Sequence, residues 1–482
     1  MSHKRTREPL FVIPVRGGSK GILGKNLQNV GGISLVGRAV RTALEARDIL
    51  GCGRVIVDSD SEELLAEGRR WGAETPFVRP AELAEDASKT LDVLCHLLRR
   101  LGIDKAPVSV VLLQATSPLT TVEHVVSAVE THWRSASPVV SVRRGRHPLA
   151  WSMRVASNKM TPFFENDGAS RRQELPVHYD VTGAVYVAAS EELLAGKSFV
   201  QAGRTEALEA IDHEPVDIDE LDDLVLAEAL VQRQPSREIT VGAHRIGSES
   251  RCFVIVSLSG PFPNGEAASR ALRVLTECGA DAVQCRAGDA ELLKLALGMA
   301  PETTRHVELI LGLEAGDREF TRNAAGAAGL HLGSADTLND SWLRDLGALR
   351  LPVFFAPETD DLAAIEAALR RLRRFGCRDI VLLATVSDEG TTQTPGSKAG
   401  VLPRLHNAFK VPVGLCDRSR SPAATLAGLG LGATVLMVAL SLEELSLEEL
   451  AGGTAQALRQ SELQERIRLL REGESHCHRT AG

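Results

Sequence analysis

The chain of 482 residues lacks any apolar run near the roughly 20 residues that a bilayer-spanning helix needs, so no membrane partner is expected. Its opening, MSHKRTREPL, leads into a short strand-like run and not into the apolar core of a signal peptide, and a cytoplasmic protein is expected. Positive charge is not in excess: 55 Lys and Arg stand against 63 Asp and Glu, a net charge of −8. That balance argues against a nucleic-acid partner, which is held through clustered Lys and Arg. No Cys-x-x-Cys pair occurs among the eight cysteines, so neither a zinc-ribbon spacing nor a disulfide framework is supported, and free thiols are expected. The terminal His476-Cys477-His478 reads as disordered tail in preference to a metal site. A small-molecule partner remains.

What is present is a soluble-protein composition, 44% hydrophobic and 24% charged, with length for two or more domains. From Leu10 to about Gln232, short apolar runs (LFVIPV, RVIVDSD, VSVVLLQA, PVVSV, GAVYVA) alternate with helical patterns such as GRAVRTALEA and SEELLAEGRRWG. The alternation predicts an α/β domain with a mostly parallel, Rossmann-like sheet over 1–232. A polar stretch over 233–250 reads as a linker or lead-in hairpin. Over 251–482, eight strand-like runs follow (FVIVSL, DAVQC, VELILGL, GLHLG, PVFFA, DIVLLATV, VPVGLC, TVLMVAL), most with a helix behind them. Eight such units in this length predict a (β/α)8 barrel. The charged helical segment from Leu442 to Glu474 is expected to cover one end of the barrel or to contact a second subunit.

The densest chemistry follows the first strand: Pro14-Val15-Arg16-Gly17-Gly18-Ser19-Lys20-Gly21, then Lys25-Asn26. A glycine-rich turn at the carboxyl end of a first strand offers backbone N–H groups to phosphates, and Arg16, Lys20 and Lys25 bring positive charge against a triphosphate. It is not a Walker A loop, because Ser19 and Asn26 stand where that motif needs Gly and Ser or Thr, nor is it G-x-G-x-x-G. The bland alternative is a flexible glycine turn with solvated lysines. Asp217-Ile218-Asp219 is a second focus: in extended chain, residues i and i+2 share a side, so two carboxylates can share a hard cation. Alternatively, Asp219 or Asp222 simply caps the helix that follows.

The run FVIPVRGGSKGILGKNLQNVGG resembles the signature of acylneuraminate cytidylyltransferases. The similarity continues through VDSDSEELLAEGRRWGAETPFVRPAELAED, LLQATSPL, RRQELPVHYDVTGAVYV and PVDIDELDDL, five motifs in order over about 220 residues. The resemblance implies that the anomeric hydroxyl of a nonulosonic (sialic-type) sugar acid attacks the α-phosphorus of CTP and that pyrophosphate leaves. It implies that Arg16, Ser19 and Lys20 hold the triphosphate, with Gly17, Gly18, Lys25 and Asn26 completing the loop. It implies that Arg79 and Ser88 meet cytosine and ribose, and that Gln114, Thr116 and Ser117 contact sugar and nucleotide. Thr116 and Ser117 can equally satisfy local backbone groups. Asp217 and Asp219 would hold Mg2+. Arg171, Arg172, Gln173 and Tyr179 would cradle the sugar carboxylate and acyl chain, an Arg fork suiting a carboxylate, although a doubled Arg by itself reads as a solvated loop. A homodimer or higher homo-oligomer is expected. Two departures, Thr120 after Leu119 and Thr182-Gly183 where the family has Asn-Gly, leave the acceptor open among sialate, legionaminate-like and pseudaminate-like acids.

The second unit, over about 237–445, is similar to the sialic acid synthases, whose barrel condenses phosphoenolpyruvate with an amino sugar. The resemblance rests on EITVGAHRIG, AASRALRVLTECGADAVQ, FGCRDIVLLATVS and LPRLHNAFKVPVGLCDRS. Yet Gln284-Cys285-Arg286 replaces the family's Lys-Phe-Gln, and Arg418 and Ala439 stand where it has two metal-binding histidines. The first-strand glutamate is missing from VSLSGPFPNG. A guanidinium and a methyl group offer a cation no lone pair. The expectation is a barrel that keeps its fold without synthase activity, with Arg286, Glu314, His331, Asp388, Asp417 and Arg418 still at strand ends as material for other chemistry. Two alternatives are a bifunctional enzyme with altered barrel chemistry and a non-catalytic scaffold that partners an active synthase.

Overall fold

The computed structural model describes residues 7–18, 21–103, 106–164, 175–209, 216–259, 264–286, 294, 298, 307–313, 320–333, 340–386, 399–419, 422–441 and 454–480. The chain packs as two compact units, Met1–Gln232 and Arg233–Gly482. No helix among the described residues is long and apolar enough to cross a membrane.

In the first unit the elements run β1 (Pro9–Pro14), the short β2 (Asn29–Val30) and β3 (Ile33–Ser34), α1 (Leu35–Leu50), β4 (Arg54–Asp58), α2 (Glu62–Arg70), α3 (Thr90–Arg100), β5 (Ser109–Leu113), α4 (Val122–Ser135) and β6 (Val139–Arg144). Then come the hairpin of β7 (Met153–Ala156) and β8 (Lys159–Pro162), the long β9 (Tyr179–Ala189), α5 (Ser190–Leu194), β10 (Glu206–Glu209) and α6 (Leu221–Arg233). The six-stranded sheet has the order β10-β6-β9-β5-β1-β4. It is mostly parallel, with β9 running antiparallel to both of its neighbours. Leu10 through Ile13 are all buried, as a central strand covered by helices on both faces must be. Helix α1 starts where the Ser34 hydroxyl accepts the Gly37 N–H at 3.0 Å, an N-cap. From β1 the chain moves to β4 on one side and returns to β5 on the other. The strand order therefore reverses at β1, and a crevice opens at the carboxyl ends of β1 and β5, where ligands settle in open α/β sheets.

The second unit begins with a hairpin, β11 (Ile239–Val241) and β12 (His244–Ile246). The barrel follows: β13 (Phe253–Ser259), α7 (Gly265–Cys278), β14 (Ala282–Arg286), β15 (Glu308–Leu313), α8 (Phe320–Asn323), β16 (Gly329–Leu332), α9 (Asp340–Ala348), β17 (Val353–Phe355), α10 (Leu362–Arg374), β18 (Ile380–Val386), α11 (Val401–Phe409), β19 (Val413–Asp417), α12 (Pro422–Gly430) and β20 (Val435–Ser441). β13 to β20 close on themselves, with every pairing parallel. All eight runs read as strands from the sequence are these strands. The interior is packed with Phe253, Ile255, Ile310, Phe354, Leu383 and Met437. Ile239, Val241 and Ile246 of the hairpin join that cluster. Glu308, at the start of β15, accepts the Ala243 N–H at 3.0 Å, so the hairpin closes the end of the barrel where the strands begin.

The last helix, α13 (Thr454–Thr480), does not cap an end of the barrel. It packs on its flank, against α12 and α7. Leu463, Ile467 and Leu470 are buried, a spacing that puts them on one helical face. Arg471 reaches the buried Asp281 at 2.9 Å and the Cys252 carbonyl at 2.8 Å, and Glu474 accepts the Cys252 N–H. The helix also runs through His476-Cys477-His478, where a structureless tail was expected.

Candidate active site

A cleft of about 650 Å3 sits at the carboxyl ends of β1 and β5. The loop after β1 is tied down from several sides. Val15 N–H donates to the Asp58 carbonyl at 3.0 Å, Asn26 Nδ2 to the Arg16 carbonyl at 3.2 Å, and Gly17 N–H to Asp60 Oδ1 at 3.1 Å. A single helical turn, Lys25–Leu27, follows Gly24 at φ 61. Asn26 is buried and spends its amide on holding the loop. Gly18 is exposed with open space around it. Ser19 and Lys20 lie outside the described residues, as do Arg171, Arg172 and Gln173.

The Asp217-Ile218-Asp219 segment lies against this loop. Ile218 is buried while both aspartates are exposed, and Ile218 N–H donates to the Thr116 carbonyl at 2.9 Å, which fastens the segment to the end of β5. Gly21 permits the approach: a Cβ there would stand 2.6 Å from the Asp219 carbonyl oxygen. Lys25 Nζ donates to the Ile218 carbonyl at 2.7 Å and pairs with Asp219 Oδ1 at 3.1 Å. Asp219 lines the cleft, but Asp217 is not part of that lining. It lies near enough to Tyr186 to help burial raise that phenol's pKa. Neither Asp219 nor Asp222 caps α6; Asp223 does so, its Oδ2 accepting the N–H groups of Asp219 and Glu220 at 2.9 and 2.8 Å. Those two bonds hold the Asp223 carboxyl below its usual range and leave the Asp219 carboxylate to the cleft.

Arg79 and Ser88 lie on another wall of the cleft. Arg79 lines the cleft, but its guanidinium is committed elsewhere. It pairs with Asp58 at 3.2 Å and Asp60 at 3.6 Å and donates to the Val15 carbonyl. Arg79 and Asp58 are almost fully buried, at 4% and 1% side-chain exposure. Burial pushes the Asp58 carboxyl up in spite of the guanidinium beside it. Arg79 therefore braces the ends of β1 and β4, and only its Nε is unpartnered among the described residues. Ser88 lines the cleft with its hydroxyl donated to the Glu82 carbonyl at 3.0 Å. Gln114 and Thr116 line the cleft; Ser117 is buried beside them and is not part of the lining.

Tyr179, at the start of β9, is exposed and donates to Glu209 at 3.4 Å; it does not line the cleft. The two departures are satisfied internally. Thr120 donates to the Ser117 carbonyl at 2.9 Å, and Thr182 bonds the Ser141 hydroxyl at 2.7 Å. Sequence reasoning missed Asp86. It lines the cleft and pairs with Arg16 at 2.6 Å. No local signal announces that pair, since 70 residues separate its members.

In the barrel, the packed interior residues fix which strand positions point inward. By alternation along each strand and the pairing registers, Ser257, Gln284, His331 and Ala439 face in near the carboxyl ends. Gln284 accepts the Ser257 hydroxyl, and its amide lies where a side chain at Gly312 would stand. His331 has a buried Nε2 without a partner among the described residues, and burial, helped by the Arg418 charge, drops its pKa to about 4. Asp417 is corrected: it is the outward neighbour of the inward Cys416. It accepts from Ser419 (2.6 Å), Thr425 (3.0 Å) and Arg466 (3.5 Å), which ties β19 to α12 and α13 and leaves no role at the barrel mouth. Glu314 and Asp388 lie outside the described residues. Among the described residues, no three His, Cys, Asp or Glu come together as a metal cluster.

Comparison with known proteins agrees with this layout. A family model described as Cytidylyltransferase matches residues 10–191, and one described as NeuB family matches 323–465. The CMP-N,N'-diacetyllegionaminic acid synthase of Legionella pneumophila is 31% identical over 226 residues, 46% of this chain and 96% of that protein. An N-acylneuraminate cytidylyltransferase of Escherichia coli is 30% identical over 233 residues, 48% of this chain and 54% of that protein. Among solved structures, a spore coat polysaccharide biosynthesis protein of Bacillus subtilis superposes with a TM-score of 0.42 at 19% identity, over 51% of this chain and 74% of that one. With a glycine-rich loop and an acidic segment meeting in one cleft, and a relative matched over nearly its whole length, the chain belongs through its first unit to the cytidylyltransferase family, while a NeuB family model matches part of its barrel.

Proposed function

We propose that the first unit transfers CMP from CTP to the anomeric hydroxyl of a nonulosonic sugar acid and releases pyrophosphate. The observation that carries this reading is the cleft itself, in which the cations Arg16 and Lys25 face Asp219 across the glycine-rich loop. In the reaction the sugar oxygen bonds to the α-phosphorus, the bond from that phosphorus to the β-phosphate oxygen breaks, and the hydroxyl proton is lost. Arg16, Ser19, Lys20 and Lys25 take the triphosphate and the charge that grows on the leaving pyrophosphate. Gln114 orients the acceptor from the end of β5, with Arg171, Arg172 and Gln173 taking its carboxylate.

We propose that the acidic segment holds Mg2+ through Asp219, the one of its two aspartates that lines the cleft. Asp219 offers exposed carboxylate oxygen, a hard donor of the right kind, and it is held by a cation, the Lys25 ammonium. When bound, the metal supplies neutralising charge to the phosphates. Lys25 holds Asp219 and the Ile218 carbonyl in place at the cleft wall.

We infer that the barrel performs no synthase chemistry. The inward positions bear an amide bonded to Ser257 and a methyl group, at Gln284 and Ala439, with Arg418 at the end of β19. We further propose that the first unit pairs with a second copy of the chain through the β7–β8 hairpin. Trp151, Met153, Val155, Met160, Phe163 and Phe164 are each 44% exposed or more, six large apolar side chains on or beside one hairpin. Val155→Glu with Met160→Glu should then halve the mass measured by light scattering, and an unchanged mass rejects the pairing.

The experiment that tests the activity incubates purified protein with CTP, Mg2+ and a panel of sialate, legionaminate-like and pseudaminate-like acids. CMP-sugar and pyrophosphate in equal amounts are expected; no turnover with any of them overturns the proposal.

A further inference from the structure

Among the described residues, the cations that line the cleft are Arg16, Lys25 and Arg79, each held by a carboxylate but not equally firmly. Arg79 and Asp58 are sealed, at 4% and 1% exposure. Lys25 is 16% exposed and keeps the Ile218 carbonyl as a second acceptor. Arg16 and Asp86 are the pair open to water on both sides, at 39% and 47% exposure and 2.6 Å apart. Asp86 sits in the segment before α3, so the pair bridges the cleft from the phosphate loop to the opposite wall. An ion pair this exposed is worth at most about 1 kcal/mol. A phosphate can displace it, and the carboxylate can take the guanidinium back.

We propose that Asp86 is an internal competing anion for Arg16. It holds the guanidinium in the empty cleft, yields it to the phosphates of the nucleotide, and recaptures it as pyrophosphate leaves. This rests on the reading above, that Arg16 serves the triphosphate. The competition weakens every ligand that engages Arg16 by a similar factor and leaves ligands without phosphate untouched. Its use is in product release: pyrophosphate loses one of its cations to a carboxylate already at hand.

The test measures the dissociation constant of CTP and the inhibition constant of pyrophosphate for the full chain and for Asp86→Asn, Asp86→Ala and Asp86→Glu, with cytidine as the phosphate-free control. The Asn and Ala variants should bind CTP and pyrophosphate about 2- to 5-fold more tightly, the ratio that an exposed pair of this kind allows. Cytidine should be unchanged, and the Glu variant should stay near the wild-type values. In an Arg16→Ala background the gain from the same Asp86 substitutions should shrink, because the competition acts through Arg16. Should Arg16→Ala weaken CTP while Asp86→Asn and Asp86→Ala leave CTP and pyrophosphate unchanged or weaker, the competition is wrong and the phosphate role of Arg16 stands. Should Arg16→Ala leave CTP binding intact, the phosphate role fails, and the competition with it. The Ala variant guards against an Asn that folds poorly or rebuilds the contact.

Discussion

At the scale of single residues, Asp219 carries the sharpest test. Its carboxylate lines the cleft, bonds Lys25 and has no part in capping α6. If Asp219 holds Mg2+ as proposed, Asp219→Asn is expected to keep CTP binding within about tenfold and to lower turnover about 100-fold, because losing a metal carboxylate removes stabilisation felt in the transition state. Steady-state kinetics beside a binding titration check it, and near-normal turnover counts against the assignment. His331 gives a pH prediction. Its folded pKa of about 4 lies below the ordinary 6.5, so the folded barrel binds fewer protons than the unfolded one. The stability this contributes is complete above pH 6.5 and is lost as pH falls toward 4, roughly 2 kcal/mol being gone by pH 5. Denaturant unfolding of the barrel transition at pH 8 and pH 5 should register that loss, and His331→Leu should flatten it.

At the scale of elements, the site depends on a close approach between two loops. Gly21→Ala would set a Cβ 2.6 Å from the Asp219 carbonyl oxygen, so the acidic segment must move off the phosphate loop. Turnover should fall about 10- to 100-fold, since a displacement of an ångström at reacting groups costs on that order. The sheet and its melting transition should be little changed. If Gly21→Ala turns over normally, the contact between the two loops has no part in catalysis. Helix α13 illustrates how an element finds its place: its helical character was legible in the sequence, but neither its buried face nor the acceptor for Arg471 was. Asp281, its partner, is buried at the start of β14, 190 residues earlier.

At the scale of the whole molecule, the proposal that the barrel performs no synthase chemistry sets its residues against its fold. The full chain, free of host synthase, should give no nonulosonic acid from phosphoenolpyruvate and any hexosamine, and manganese should not change that. Detection of that product by mass spectrometry would show that another set of strand-end residues serves the reaction. Asp417 cannot belong to such a set, because it faces outward and is bonded to Thr425 and Arg466. That leaves Arg286, His331, Arg418 and the loop residues beyond the strands to be tested.

The sequence by itself determined the alternation that makes a mostly parallel sheet, the eight strands of the barrel and the glycine-rich loop at the end of the first strand. These follow from apolar period and from glycine at a strand end, which are local and written in consecutive residues. Side-chain commitment was not written there. Arg79, read as a base contact, lines the cleft and is also paired with Asp58 and Asp60 on the neighbouring strand end, partners that no local pattern announces. The cap of α6 fell to Asp223, since only its side chain reaches back to two free N–H groups. Arg16 met Asp86 across 70 residues. Which charge meets which is decided by distances of a few ångströms between segments far apart in the chain, and those distances exist only once the sheet has closed the cleft.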